Sequence, residues 1–198
     1  MVALAGFAGA ANASATIDLI WADTGTNQIS NVNTSSAITL RVILTAGPDG
    51  SWGAGVSVDY SAALGKLTVL GFASTPSEGN DSPMPIMVGT TSDTGSRIEN
   101  INSLGLPPLG RGTGLSAGQS HQLGTVTFHK SALLIDTFEI TVDVNGPTDD
   151  VLNFFGDVIN ATTTFNSAFL INVPEPGALS MLILGLGGLS LAGRGRRS

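Results

Sequence analysis

The chain has 198 residues, of which 42% are hydrophobic and 12% charged, with fifteen acids, eight bases, a net charge of −7 and no cysteine. That length fits one ordinary domain with end segments, and the composition is too apolar for an acidic disordered tail. Too few bases exclude a nucleic-acid binder, and zero cysteines exclude a disulfide framework, a thiolate nucleophile and a Cys-based zinc site.

Residues 1–11 are small and apolar, and Ala13-Ser14-Ala15 supplies the small-x-small pattern of signal-peptidase sites. The sequence therefore predicts a secretory signal over 1–15, recognised at Ala13 and Ala15 and cut before Thr16. No Lys or Arg precedes Arg41, so the basic start of a signal is missing and the expected true start lies upstream of Met1.

Residues 16–172 form the predicted body, with five bases against fourteen acids and hence a net charge of −9. Its runs alternate in the two-residue period of half-buried strands. In 136–144, Phe138, Ile140, Val142 and Val144 share one face, while Thr137, Glu139, Thr141 and Asp143 share the other. Further strands are predicted at 17–21, 38–44, 54–60, 67–72, 123–128 and 164–171, separated by turn signals such as Gly47-Pro48-Asp49-Gly50 and Asn145-Gly146-Pro147. Seven strands without an amphipathic helix of ten residues predict an all-β, antiparallel β-sandwich. Arg97, Ile98, Ile101 and Leu104 keep a helical spacing that predicts a short helical turn over 96–104. The rest of 73–113 reads as a long irregular loop.

Val173-Pro174-Glu175-Pro176 closes the body. Two prolines one residue apart force an extended, exposed segment. Residues 177–193 then run 17 positions without a charge, at the lower limit for a single transmembrane helix, and their five glycines are better tolerated in lipid than in a soluble helix. The basic tail 194–198, with Arg194, Arg196 and Arg197, stops transfer and is held on the cytoplasmic side.

The order of Val-Pro-Glu-Pro, apolar run and short Arg-rich end resembles the bacterial PEP-CTERM sorting signal over residues 173–198. The resemblance implies recognition of Pro174, Glu175 and Pro176 by an exosortase, a membrane-embedded enzyme of the transpeptidase type. It also implies an inner-membrane-anchored precursor, then delivery to the cell surface or extracellular matrix of a Gram-negative bacterium that makes exopolysaccharide. The body resembles the cohesin-like, Ig-like jelly-roll or carbohydrate-binding-module type of sandwich. That likeness rests on Val56-Ser57-Val58-Asp59-Tyr60 with Leu64 and Leu67-Thr68-Val69, and on Leu123 to Phe128 leading into 137–144. It implies a fold, not a ligand.

Candidate chemistry in the body is sparse. Gly114-Leu115-Ser116-Ala117-Gly118 matches a hydrolase nucleophile elbow in letters, but no acid lies between Ser116 and either His121 or His129, as the chain order Ser, acid, His requires. Asp143, Asn145, Asp149 and Asp150 offer oxygen ligands of the kind calcium takes, or else Asx turns that cap a strand. Trp21, Trp52 and Tyr60 are the candidate sugar-stacking surface, although Trp21 on an alternating strand reads as core. The expected protein is an exported, C-terminally sorted surface or matrix component with a structural or adhesive role and no catalysis. The alternative is a carbohydrate-binding module held near exopolysaccharide. Signal peptidase, exosortase, the membrane and exopolysaccharide are its expected partners; nucleic acid is not one, and no cofactor is expected beyond the candidate calcium, since His121 and His129 lack a carboxylate companion at zinc-ligand spacing.

Overall fold

The computed structural model describes residues 15–30, 37–75, 83–105, 112–130 and 136–172. In chain order the strands are β1 (Ala15–Trp21), β2 (Gln28–Ser30), β3 (Ala37–Ala46), β4 (Gly53–Asp59), β5 (Leu67–Ser74) and β6 (Ser92–Asp93). They continue with β7 (Arg97–Leu104), β8 (Ser120–Lys130), β9 (Asp136–Asp143), β10 (Val151–Leu152), β11 (Thr163–Asn166) and β12 (Ala168–Asn172). Single 3-10 turns occupy Ser61–Ala63 and Asn160–Thr162. One sheet runs β11-β1-β3-β8-β5; the other runs β2-β12-β9-β4-β7-β6, with β10 added beside β4.

The alternation read from the sequence explains why the two sheets face each other. In β1, Ile17, Leu19 and Trp21 are buried, and in β3 Ile38, Leu40, Val42 and Leu44 are; from the opposite sheet Val56, Val58, Ile98, Ile140 and Leu170 meet them. Phe128 of β8 joins the layers, packing edge-on against Trp21 at 6.4 Å and Tyr60 at 5.7 Å between ring centroids. Trp21 Nε1 donates to the Phe169 carbonyl at 3.0 Å, so the indole's polar atom is satisfied inside the sandwich. Gly124 is required where β8 passes β5 and β7, because a Cβ there would collide with the Ala73 carbonyl and Ile101.

Every strand predicted by alternation is present, with 164–171 split by Ser167 into β11 and β12. Two readings are corrected. The turn over 96–104 is strand β7, and the irregular loop therefore also contains β6. Val58 pairs with Ile98 and Val56 with Ile101, so Glu99 and Asn100 together oppose Ser57 in a β-bulge, with Asn100 at φ 60°. The extra residue lets Ile98 and Ile101 face the same core three positions apart, which imitates helical spacing. The second correction concerns direction. Most pairs are antiparallel, but β1 pairs with β11 and β2 with β12 in parallel. The first two strands and the last two thus run side by side, β1 with β11 in one sheet and β2 with β12 in the other.

The expected transmembrane segment, residues 177–193, lies outside the described residues. Among those described, no helix is long and apolar enough to cross a membrane.

Candidate binding face

On the outside of the seven-stranded sheet, neighbouring strands bring together a partly buried polar cluster. Alternation turns Ser57 and Asp59 of β4 outward, and the register sets Asp59 opposite Arg97 and Ser57 opposite Asp143. Arg97 crosses over β4 to grip Asp143 with both terminal nitrogens, one at 2.9 Å, and its guanidinium lies 3.8 Å from Asp59. Burial pulls the Asp143 carboxyl upward, but Arg97 and the Asn145 amide outweigh it and hold the group below the ordinary carboxylate range. The hydrogen bond to Asp143 pushes Arg97 upward.

The 145–150 loop folds over Ser57. Asp149 is buried there, its Oδ2 accepting from the Ser57 hydroxyl and, at 2.8 Å, from the Gly146 amide. A side chain at Gly146 would strike both the Asp149 carboxylate and the Ser57 hydroxyl, so glycine is what lets the loop close. Asp149 Oδ1 has no hydrogen-bond partner among the described residues. Burial raises the Asp149 carboxyl above its ordinary value, against the opposing pull of Ser57, Gly146 and Arg97.

Beside this cluster an amide pair fastens the 84–91 segment to β7. Asn102 accepts from the Val88 amide at 2.8 Å and donates to its carbonyl at 3.0 Å; Asn100 donates to the same carbonyl at 2.8 Å. Asn100 Oδ1 also accepts from Thr148 at 2.9 Å, so the bulge ties two covering loops together. Between them is a cleft of about 130 Å³ with Asn100, Asn102 and Thr148 on its polar side and Val88, Leu104 and Leu152 on its apolar side. Met87 and Val88 are exposed at its margin. Past β10, Asn153 accepts from the Phe155 and Asp157 amides at 2.9 Å each and shapes a tight loop that exposes Phe154, Phe155 and Val158, with Phe155 at 74%. Trp52 packs edge-on to Phe154 beneath it.

The candidate metal residues do not form one oxygen cage. Asp143 is taken by Arg97, Asp150 accepts from Asn160 at 2.9 Å through one oxygen, Asn145 is exposed, and Asp149 keeps one buried oxygen without a hydrogen bond. Among the described residues no three His, Cys, Asp or Glu side chains gather as a metal group. The aromatic trio is also dispersed: Trp21 and Tyr60 are buried against Phe128, whereas Trp52 sits under the Phe154 loop. Ser116 lies in the turn before β8, its amide bonded to Gln119 Oε1 at 2.8 Å, so a strand rather than a helix follows it. His121 and His129 stand eight positions apart on β8, roughly 26 Å at a strand's rise. His121 Nε2 lies 3.1 Å from Ser103 Oγ, and burial pushes its pKa down.

Ala15 opens β1, buried and paired with both Ala46 and Thr163. Ala13, Pro174, Glu175, Pro176, Arg194, Arg196 and Arg197 lie outside the described residues. Sequence reasoning missed Arg97, Ser57, Asn100 and Asn102. A signal for the asparagines was present, since two amides on consecutive alternate positions of an apolar strand require partners.

The architecture is that of a cohesin-like β-sandwich. The third cohesin of ScaC from Acetivibrio cellulolyticus, solved in complex with a ScaB dockerin, aligns over 81% of this chain and 99% of its own, with 12% identity and a TM-score of 0.52. A non-cellulosomal cohesin of Archaeoglobus fulgidus covers 84% and 97%, with 13% identity and a TM-score of 0.51. The cohesin module of a Clostridium perfringens family 33 glycoside hydrolase covers 82% and 99%, with 11% identity and a TM-score of 0.51. At such identities the likeness is one of fold. The chain also carries a PEP-CTERM protein-sorting motif, matched over residues 172–197. No curated protein matches the chain.

Proposed function

We propose that this protein is an exported, exosortase-processed surface or matrix module of a Gram-negative bacterium whose sandwich binds another protein and carries out no catalysis. The observation that carries the reading is the joining of a sorting motif directly to a binding-type fold: β12 ends at Asn172, where the motif begins. Pro174, Glu175 and Pro176 are the proposed recognition element, 177–193 the transient membrane helix, and Arg194, Arg196 and Arg197 the stop.

Register gives the module a direction. Asn172 pairs with Asp136, beyond the Asp59 end of β4, whereas Leu152 pairs with Gly53 at its other end. The chain therefore enters the sorting segment at the end opposite the Phe155 loop. A module tethered through its C-terminus presents Phe154, Phe155 and Val158 away from the membrane. Exposed aromatic side chains beside a rim of satisfied polar groups are the surface that protein partners use. The dockerin-bound cohesin supports a protein partner as the class of ligand.

The test is the intact mass of the exported protein from hosts with and without an exosortase. A mature form beginning near Thr16 and ending near Pro174 to Gly177 only in the first host is expected. Retention of Arg194 to Ser198 in both would make the tail a plain anchor and end the sorting reading.

A further inference from the structure

Where the terminal strands cross lies a groove of about 460 Å³. Ile20 of β1, Phe165 of β11 and Phe169 of β12 supply its apolar lining. Asp18 of β1 and Glu139 of β9 supply two carboxylates, and Asn27 an amide. The residues converge because β11 and β12 are one run of chain that leaves β1 at Asn166 and joins β9 from Ala168, which opens a saddle between the sheets.

Three features define what fits there. The volume lies within the range of about 300–1,000 Å³ usual for small-ligand sites. No Lys, Arg or His lines the groove, and both ion pairs among the described residues belong to Arg97, so neither Asp18 nor Glu139 is neutralised by a described base. Anionic ligands are repelled, and ligands carrying ammonium donors gain charge-assisted hydrogen bonds. Finally, β1, β9 and β12 are each paired on both sides. An extended peptide needs a free strand edge for its backbone, and here only the four-residue β11 has one. Recognition falls instead to apolar side chains and planar acceptors, which suit a ligand with C–H faces and a polar perimeter.

We propose that this groove binds a glycan bearing free amino sugars, with ring faces on Phe165 and Phe169 and ammonium groups on Asp18 and Glu139. The site shares no residue with the Asn100 cleft or the Phe155 loop and does not depend on the protein-binding reading.

The experiment titrates the full chain with a fully deacetylated glucosamine hexamer, its N-acetylated counterpart, a uronic-acid hexamer and hexalysine, using calorimetry at fixed salt. The glucosamine hexamer is expected to bind at least about tenfold more tightly than the other three. Glu139→Gln and Asp18→Asn each weaken it by roughly five- to tenfold, while Asp157→Asn, an exposed acid on the Phe155 loop, leaves it unchanged. The Glu139 side chain is exposed, so its variant keeps the fold, which circular dichroism verifies. Equal affinity for hexalysine would reduce the effect to general charge attraction and overturn the proposal. So would a preference for the acetylated or uronic hexamer, no binding at all, or indifference to Glu139→Gln.

Discussion

The outer faces of the two sheets solve the same problem in opposite ways. On the five-stranded sheet small polar side chains meet across strands: Thr39 faces Thr127 at 3.2 Å, Thr45 faces Ser120 at 2.8 Å, and Arg41 stands in solvent. Such cross-strand pairs contribute a few tenths of a kcal/mol each and leave no polar group dependent on another. On the seven-stranded sheet, loops cover the outward face and bury Ser57, Asp149, Asn100 and Asn102, so each polar atom needs a particular partner. Outward polarity alone therefore does not mark a functional surface. Among the described residues, coverage and interdependence set the seven-stranded face apart.

That contrast is open to direct challenge. The largest effect is expected where the faces share a core: Phe128→Ala removes the ring that Trp21 and Tyr60 both pack on and should cost about 3–5 kcal/mol, read as a fall in denaturation midpoint. Next, Arg97→Ala leaves Asp143 and Asp59 without their cation and should cost about 1–3 kcal/mol. Arg41→Ala on the plain face should stay within about 0.5 kcal/mol. Equal losses for the two arginines would erase the distinction between the faces.

Acid titration sharpens it further, because two aspartates in one cluster shift oppositely. Asp143 is lowered in the fold, so its stabilisation is present above the ordinary Asp range and is lost as pH falls through its depressed value. Asp149 is raised, so its ionisation destabilises the fold as pH climbs from the ordinary Asp range through the elevated value. At neutral pH, Asp143→Asn should lower the melting temperature and Asp149→Asn should hold or raise it. Both differences should shrink toward zero in strong acid. The smallest effect concerns calcium: with Asp143 and Asp150 already engaged, saturating Ca²⁺ should move the melting temperature by less than about 1 °C. A rise of several degrees would mean that Asp143, Asn145, Asp149 and Asp150 rearrange into a cage.

Legibility varied with how local the cause was. Long half-buried strands such as β9 were readable because one buried face imposes a strict period of two. The bulge at Asn100 hid β7, since one inserted residue converts that period into an apparent helical one. Strands β2, β6 and β10, at two or three residues, are too short to carry any period. Of the polar cluster, the turn that holds Asp143, Asn145 and Asp149 was visible as a run of Asx residues. Arg97 and Ser57 were not, because they reach it through strand register.

What the sequence determined by itself is what depends on neighbours in the chain: the alternation of β1, β3, β8 and β9, the absence of cysteine chemistry, and the sorting motif over residues 172–197. Tertiary structure alone decided the parallel pairing of the terminal strands, the groove where they cross, and the burial of Asp149 over Ser57. The physical reason is distance along the chain. Asp18 and Asn166 meet at 2.7 Å across 148 residues, and only the closing of two sheets on a shared core brings such pairs together.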